Sequence, residues 1–542
     1  MKMNDLDTPF LILSGAYCSS EIQAEFGTLP PALLPVGNRR LFEHQVILAG
    51  QRPVFLTLPS DYTLSNSDKH ILEQLNVRII HTPPSLNLVE AIQMALEIIP
   101  ASDAIEILLG DTLVDELPSN HGDYVAIKGN RSFYHWTYCA EKSDGLLFRD
   151  GIGSDLADRD IVIGLFRFQQ RSWLRGVLPA SISLPDILNS YERSHGLKLV
   201  EVNSWYDFGH LALFYQSRRH LMVSRSFNHI SSDGKCVVKR SDDARKIQAE
   251  RTWYANIDGD LSLHVPRLVE KFDGDQDPTF YTIEYLNYPT LSDLFVFGEL
   301  SLQIFNFILE KSLDLLEKMQ HTLNLELKER KETAKNFQIS VYEEKSRFRI
   351  QEFLDSWDGM LVPTSLNGKP VPDPKTLTNL LINSISECSE GHICFWHGDF
   401  FFGNMFFDFR ANRVMLIDPR GMFGNGDFTI IGDQRYDIAK LLHSVIGYYD
   451  RIIAGRAWLE RTGTDWFFEI ECNAQDKAIE VAFWQKLETR FGYERAEMTA
   501  ITALLFLSML PLHADSEHRQ ALLLANGLRL FQEWHELMET TR

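Results

Sequence analysis

The sequence predicts an α/β protein built in two parts, and three observations predict it. Short apolar runs alternate with helix-period segments over roughly the first 220 residues. Beyond that point the pattern changes to a few short strands followed by long helical periods. A compact polar block, His397-Gly398-Asp399-Phe400-Phe401-Phe402-Gly403-Asn404, then precedes Ile417-Asp418-Pro419-Arg420-Gly421. At 542 residues the chain is longer than one hydrophobic core usually serves, so two or three domains are expected.

The elements follow in order. Residues 9–14 form an apolar run that stops at Gly15, which suits a buried first strand meeting a loop. Similar runs recur at Val54-Phe55-Leu56-Thr57-Leu58, Val77-Arg78-Ile79-Ile80 and Ile105-Glu106-Ile107-Leu108-Leu109, with a helical pattern from Leu88 to Ile99. Alternation of this kind indicates a mostly parallel sheet. Residues just past the carboxyl ends of such strands line the site, and Asp111 stands there. In the second part, Lys235 to Lys239 is a strand after an Asp-Gly turn, Asp243 to Asn256 a helix, and Phe280 to Tyr285 a further strand. Residues 301–336 read as one or two long helices, 363–374 as a loop, and 431–542 as largely helical.

Composition narrows the class. The chain is 44% hydrophobic and 23% charged, as folded proteins are, and its net charge of −21 argues against nucleic-acid or acidic-membrane binding through bulk charge. Six scattered cysteines without CxxC spacing suit idle thiols in a reducing compartment. The opening MKMNDLDTPF lacks a signal-like apolar region, and no apolar run approaches the ~20 residues of a membrane span. A soluble cytoplasmic protein is expected.

The polar block carries the chemistry. An aspartate can orient a hydroxyl nucleophile and accept its proton, while an asparagine and a second aspartate can hold magnesium against nucleotide phosphates. Asp399, Asn404 and Asp418 have that character, and Val414 to Ile417 reads as a strand that holds Asp418 rigidly. A metal hydrolase using the same acids is the competing reading, and the upstream Lys239 argues against it.

These residues resemble the aminoglycoside phosphotransferase and choline kinase-like superfamily, over roughly 225–542. The resemblance implies a bilobal protein kinase-like fold with a nucleotide lobe at 221–290 and a helical C-lobe at 291–542. It makes Asp399 the catalytic base, His397 a support of its loop and Asp437 a brace of that loop. Asn404 and Asp418 become magnesium ligands. Lys239 resembles the strand lysine that contacts nucleotide phosphates, with Glu250 as its ion-pair partner; a plain surface pair is the alternative. Ser226 and Asn228 stand where the phosphate-covering loop lies, although GxGxxG is absent. Glu284 to Leu286 read as the adenine hinge, and Thr290 or Ser292 as a helix cap. Trp396, Trp458, Trp466 and Phe467 are candidate walls of an acceptor pocket or plain core, and Asp427 and Asp433 candidate contacts to an amine or hydroxyl.

In the first part, Leu33 to Gln45, Leu109-Gly110-Asp111-Thr112 and Trp205-Tyr206-Asp207-Phe208-Gly209-His210 resemble sugar-phosphate nucleotidyltransferases, over about 8–220. The resemblance implies a Rossmann-like domain at 1–220 with Asp111 and Asp207 sharing a magnesium ion; a helix cap is the alternative for Asp207. The family's glycine-rich first loop reads Ser14-Gly15-Ala16-Tyr17-Cys18-Ser19-Ser20-Glu21 here, and its Pro-Lys reads Pro30-Pro31-Ala32. Arg39 or Arg40 can restore part of the missing positive charge.

Together the resemblances imply a kinase using ATP and Mg2+ on a small hydroxyl compound such as a sugar, an alditol or choline. They point to capsule, lipopolysaccharide or phospholipid precursor supply. CTP or another NTP is the expected cofactor of the first part, whether active or degenerate. A nucleotidyltransferase regulated by its kinase-like part and a non-catalytic assembly platform are the alternatives. Nucleotidyltransferase domains often pair, so a homo-oligomer stays open.

Overall fold

The computed structural model describes residues 5–119, 122–129, 134–142, 145–152, 159–221, 229–269, 279–321, 325–357, 362–424 and 428–540. The chain forms two compact units: Met1–Leu221 with Phe297–Glu299, and Met222–Val296 with Leu300–Arg542.

The first unit is built on a nine-stranded sheet among the described residues. Its centre is parallel: Phe10–Leu13 lies between Val54–Pro59 and Ile105–Leu109, and Val77–Thr82 extends it. Phe10, Leu11 and Ile12 are fully buried, as expected for a parallel strand covered on both faces. The covering helix Leu88–Ile98 starts at a reciprocal cap: the Asn87 side chain accepts from the Glu90 amide at 3.0 Å, and the Asn87 amide donates back to the Glu90 carboxylate at 2.9 Å. Val89, Ile92 and Leu96 from this helix pack on Leu11, Phe55 and Ile80. Antiparallel pairs, beginning with Asp160–Phe168 beside Ile105–Leu109, and a parallel edge strand, Lys198–Glu201 on Tyr124–Gly129, complete the sheet.

The second unit opens with an antiparallel sheet of His229–Ser232, Cys236–Arg240 and Phe280–Glu284. The helix Ala244–Ala255 follows the middle strand and starts at Asp243, whose carboxylate accepts from the Lys246 amide at 3.0 Å. The rest is helix-rich. Leu302–His321 and Leu327–Phe337 fill the stretch expected to be one or two long helices. A π-helical stretch, Gln338–Glu344, runs directly into the helix Lys345–Ser356. Gln434–Val445 is buried along its whole length.

The tail departs from the helical expectation. Ala457–Thr462 and Asp465–Ile470 form an antiparallel hairpin inside it. The turn carries Gly463 at φ +64°, a left-handed conformation that glycine adopts without a side-chain clash. Residues 363–374 likewise contain a short hairpin, Ser365–Leu366 with Lys369–Pro370, which extends that sheet. Among the described residues no helix is long and apolar enough to cross a membrane.

Candidate active site

The loop after the strand Ile393–Phe395 is held from below by one carboxylate. Asp437 accepts the His397 amide on Oδ2 and the Gly398 amide on Oδ1, both at 2.7 Å. Gly398 has φ +81°, and a side chain there would meet Cβ of Arg420 at 2.6 Å. His397 Nδ1 accepts the Asp399 amide at 3.3 Å, which requires an unprotonated nitrogen. Burial supplies that state by pushing the imidazole down to about 4. His397 thus acts as a neutral strut of the loop.

Asp399 projects from this loop with its side chain about one-third exposed. Lys440 Nζ stands 2.8 Å from Oδ1, and Asn404 Nδ2 donates to Oδ2 at 3.0 Å and to the Asp399 carbonyl at 3.1 Å. Burial alone would push this carboxyl up; the positive charges of Lys440 and Arg420 outweigh it and hold the group well below the usual carboxylate range. Asp399 is therefore ionised at neutral pH.

The hairpin Met405–Asp408 with Arg413–Leu416 brings Asn404 and Asp418 to the same end, because Met405 pairs with Leu416 and the Ile417 amide donates to the Asn404 carbonyl at 3.0 Å. Asp418 sits at φ +57°, a strained value for a residue with a side chain. Its carboxylate meets Lys239 Nζ at 3.0 Å, and Lys239 also binds Glu250 at 2.7 Å. The Tyr281 hydroxyl donates to the same Glu250 oxygen at 2.8 Å. Burial would depress the Lys239 ammonium, but Asp418 and Glu250 hold it above its ordinary value. The structure thus gathers Lys239, Glu250 and Asp418 from a strand, a helix and a post-strand loop.

Other expected residues are placed differently. The Glu284 and Tyr285 amides are taken by the carbonyls of Arg267 and Lys235, both at 2.9 Å, while the Leu286 amide makes no hydrogen bond among the described residues. Thr290 caps its helix, accepting the Asp293 amide at 3.0 Å. Trp396 and Trp466 are core residues, and Phe467 is exposed on the tail hairpin, so these rings form no cage. Asp433 is not open to a ligand: it is fully buried and receives Arg435 and the Tyr342 hydroxyl. Cys388 and His392 lie within 4.8 Å of it, but Arg435 already neutralises the carboxylate. Ser226, Asn228 and Asp427 lie outside the described residues.

In the first unit, Trp205–Asp207 pairs antiparallel with Thr112–Val114, which sets Asp207 opposite Thr112 and next to Asp111. The Phe208 amide donates to the Asp111 carbonyl at 2.8 Å. Burial and then the Asp207 charge push the Asp111 carboxyl up to about 6. Asp207 also accepts the His210 amide at 3.0 Å, but His210 itself stands at the cap position of Leu211–His220 and no side chain caps that helix, so Asp207 is not its cap. Arg40 does not restore charge to the first loop. It is buried, paired with Asp68 at 2.8 Å, and donates to the carbonyls of Leu33 and Phe297.

Sequence reasoning assigned no role to Lys440, Arg420, Tyr436, Lys345 or Arg349. Lys440 was legible, since it stands three residues after Asp437 on the same helical face. Lys345 and Arg349 stand some fifty residues before the loop and carry no motif.

Residues 224–472 match the family model described as the phosphotransferase enzyme family. No curated protein matches the chain. Among solved structures, a nucleoside-diphosphate-sugar pyrophosphorylase from Vibrio cholerae RC9 is 15% identical, covering 39% of this chain and 99% of its own, with a TM-score of 0.32. The CTP:phosphocholine cytidylyltransferase of Streptococcus pneumoniae is 12% identical over 40% of this chain and 99% of its own, with a TM-score of 0.31. An aminoglycoside-3'-phosphotransferase of type VIII is 15% identical over 57% of this chain and 90% of its own, with a TM-score of 0.30. The chain thus has two compact units, and the stretch that matches the phosphotransferase model falls almost entirely in the second.

Proposed function

We propose that the chain is an ATP-dependent kinase of a small hydroxyl compound. The observation that carries this reading is the ionised Asp399 standing beside Asn404, with Lys239 and Asp418 joined at the same hairpin end. Asp399 orients the acceptor hydroxyl and takes its proton as the acceptor oxygen bonds the γ-phosphorus and ADP leaves. Lys239, held by Glu250, positions the nucleotide phosphates. Asn404 and Asp418 fit a magnesium ion, because Asn404 spends its amide nitrogen on Asp399 and so presents oxygen, and the Asp418 carboxylate is about one-third exposed. Bound there, Mg2+ would neutralise phosphate charge.

In this reading residues 221–290 form the nucleotide lobe, with Ser226 and Asn228 near the phosphates and Glu284 to Leu286 beside adenine. Residues 291–542 form the acceptor lobe. The first unit, residues 1–220, activates the phosphorylated product with CTP or another nucleotide. Asp111 and Asp207 suit its divalent cation, since two adjacent carboxylates repel without one. The product is a precursor for surface polysaccharide or lipid synthesis, made in the cytoplasm where ATP is supplied, from a sugar, an alditol or a choline-like alcohol.

The test is a mass-resolved reaction of the full chain with ATP, CTP, Mg2+ and a panel of sugars, alditols and choline. The expected result is one phosphoryl group added to one acceptor. ATP binding with no transfer to any acceptor would sink the kinase reading.

A further inference from the structure

Beside the Asp399 loop lies a concentration of positive charge, from Lys345, Arg349 and Arg420, of which only Arg420 also acts on Asp399. Tyr436, one residue before Asp437, receives the Lys345 ammonium at 3.0 Å and the Arg420 guanidinium at 3.2 Å on its hydroxyl. Both cations also lie over its ring, at 5.2 and 5.6 Å from the centroid. Arg349, one turn beyond Lys345 on the helix Lys345–Ser356, donates to the Ser508 carbonyl at 3.0 Å. Among the described residues, none of these three cations forms an ion pair with a carboxylate. The Arg420 backbone donates to the His397 carbonyl at 2.8 Å, which fixes this group against the catalytic loop. Lys239, by contrast, is fully occupied by Glu250 and Asp418.

Half-buried cations gathered round one hydroxyl are unfavourable unless something balances them. Burial and then Arg420 push the Lys345 ammonium down to about 7. Burial would raise the Tyr436 hydroxyl, but Arg420, Lys345 and Lys440 outweigh it and bring it down to about 7. Positive charge contributes to both shifts, and with Asp399 acting on Arg420 and a Tyr436 phenolate balancing one further cation, one of the three would still be unbalanced.

We infer that Lys345, Arg349, Arg420 and Tyr436 form a subsite for an anionic group of the acceptor, so that the compound phosphorylated at Asp399 also carries a phosphate or a carboxylate. This rests on the kinase reading above. Guanidinium and ammonium donors beside a hydroxyl match the oxygens of either group. The same charges repel a cationic acceptor such as choline or an aminoglycoside, and they offer a neutral sugar no specific gain.

The test is calorimetric binding to the full chain saturated with Mg2+ and a non-hydrolysable ATP analogue. The probes are glucose, glucose 6-phosphate, gluconate, inorganic phosphate and choline. An anionic probe is expected to bind, to lose affinity about tenfold or more in Lys345→Met, and to regain it in Lys345→Arg, with analogue affinity unchanged. Preference among the anionic probes separates phosphate from carboxylate. The inference is overturned if glucose or choline binds as tightly, if no anionic probe binds, or if Lys345→Met weakens the ATP analogue instead. Binding abolished by Asp111→Asn would place the anion in the first unit and also overturn it. Anionic binding without phosphoryl transfer from ATP would leave the subsite standing and refute the kinase reading.

Discussion

Asp399 on its loop and Lys345 on the helix Lys345–Ser356 show how two ionisable groups acquire opposite characters. Asp399 has cations for neighbours, so it stays charged. Lys345 is desolvated and has cations for neighbours too, namely Arg420 and Arg349, with the Tyr436 hydroxyl as its hydrogen-bond partner, so its charge is easily lost. An ammonium lowered to about 7 is protonated below that pH and neutral above it. The KM for an anionic acceptor should therefore rise as pH climbs through about 7 to 9, with the rise shifted upward by any anion that holds the proton. Ionisation of Tyr436 acts in the same direction, and Tyr436→Phe separates the two. Acceptor KM measured against pH checks this, and Lys345→Arg should flatten the Lys345 contribution. Asp399 was legible at this scale because its neighbours in sequence form a motif. Lys345 was not, since only the folded chain brings its helix beside Tyr436.

Among elements, the helix Gln434–Val445 organises the site. It is buried throughout, and its Asp437 and Lys440 reach the His397–Asn404 loop and Asp399 from adjacent positions on one face. Asp437→Asn keeps the shape but offers one acceptor oxygen in place of two, leaving one loop amide unsatisfied. We expect a stability loss of about 2 kcal/mol and a lowered kcat with ATP affinity nearly unchanged, checked by urea unfolding and steady-state kinetics. Unchanged kcat in the folded variant would contradict the bracing role. This helix was readable as a helix, and Asp437 as a brace, from Arg435-Tyr436-Asp437-Ile438-Ala439-Lys440. The hairpin Ala457–Ile470 was not read, although Gly463-Thr464 is a turn signal and Asp465–Ile470 alternates exposed and buried residues up to Phe468. The helical period of the surrounding sequence masked a short alternation.

For the whole molecule, the parallel α/β unit and the change of regime after it follow from apolar run length and spacing, which the backbone converts directly into strands and helices. The approach of Asp111 and Asp207 was suggested by resemblance, and the strand register shows how it arises. The buried role of Arg40 was invisible, because Asp68 and Phe297 are distant in sequence. The pairing of Asp111 with Asp207 predicts a separable effect. An acid raised to about 6 lowers folded stability as pH rises, because the folded state holds its proton longer than the unfolded chain. Asp111→Asn should therefore raise the Tm of metal-free protein at pH above about 7, leave phosphorylation of the acceptor intact, and abolish any nucleotidyl transfer. Lost phosphorylation in that folded variant would contradict separability.

The most direct measurement of the central claim is the mass of the acceptor after reaction with Mg2+ and ATP, comparing the natural chain with Asp399→Asn. The account predicts one added phosphoryl group with the natural chain and a rate lowered about 100-fold or more in the variant, with ATP binding preserved. Equal rates in the two would contradict it.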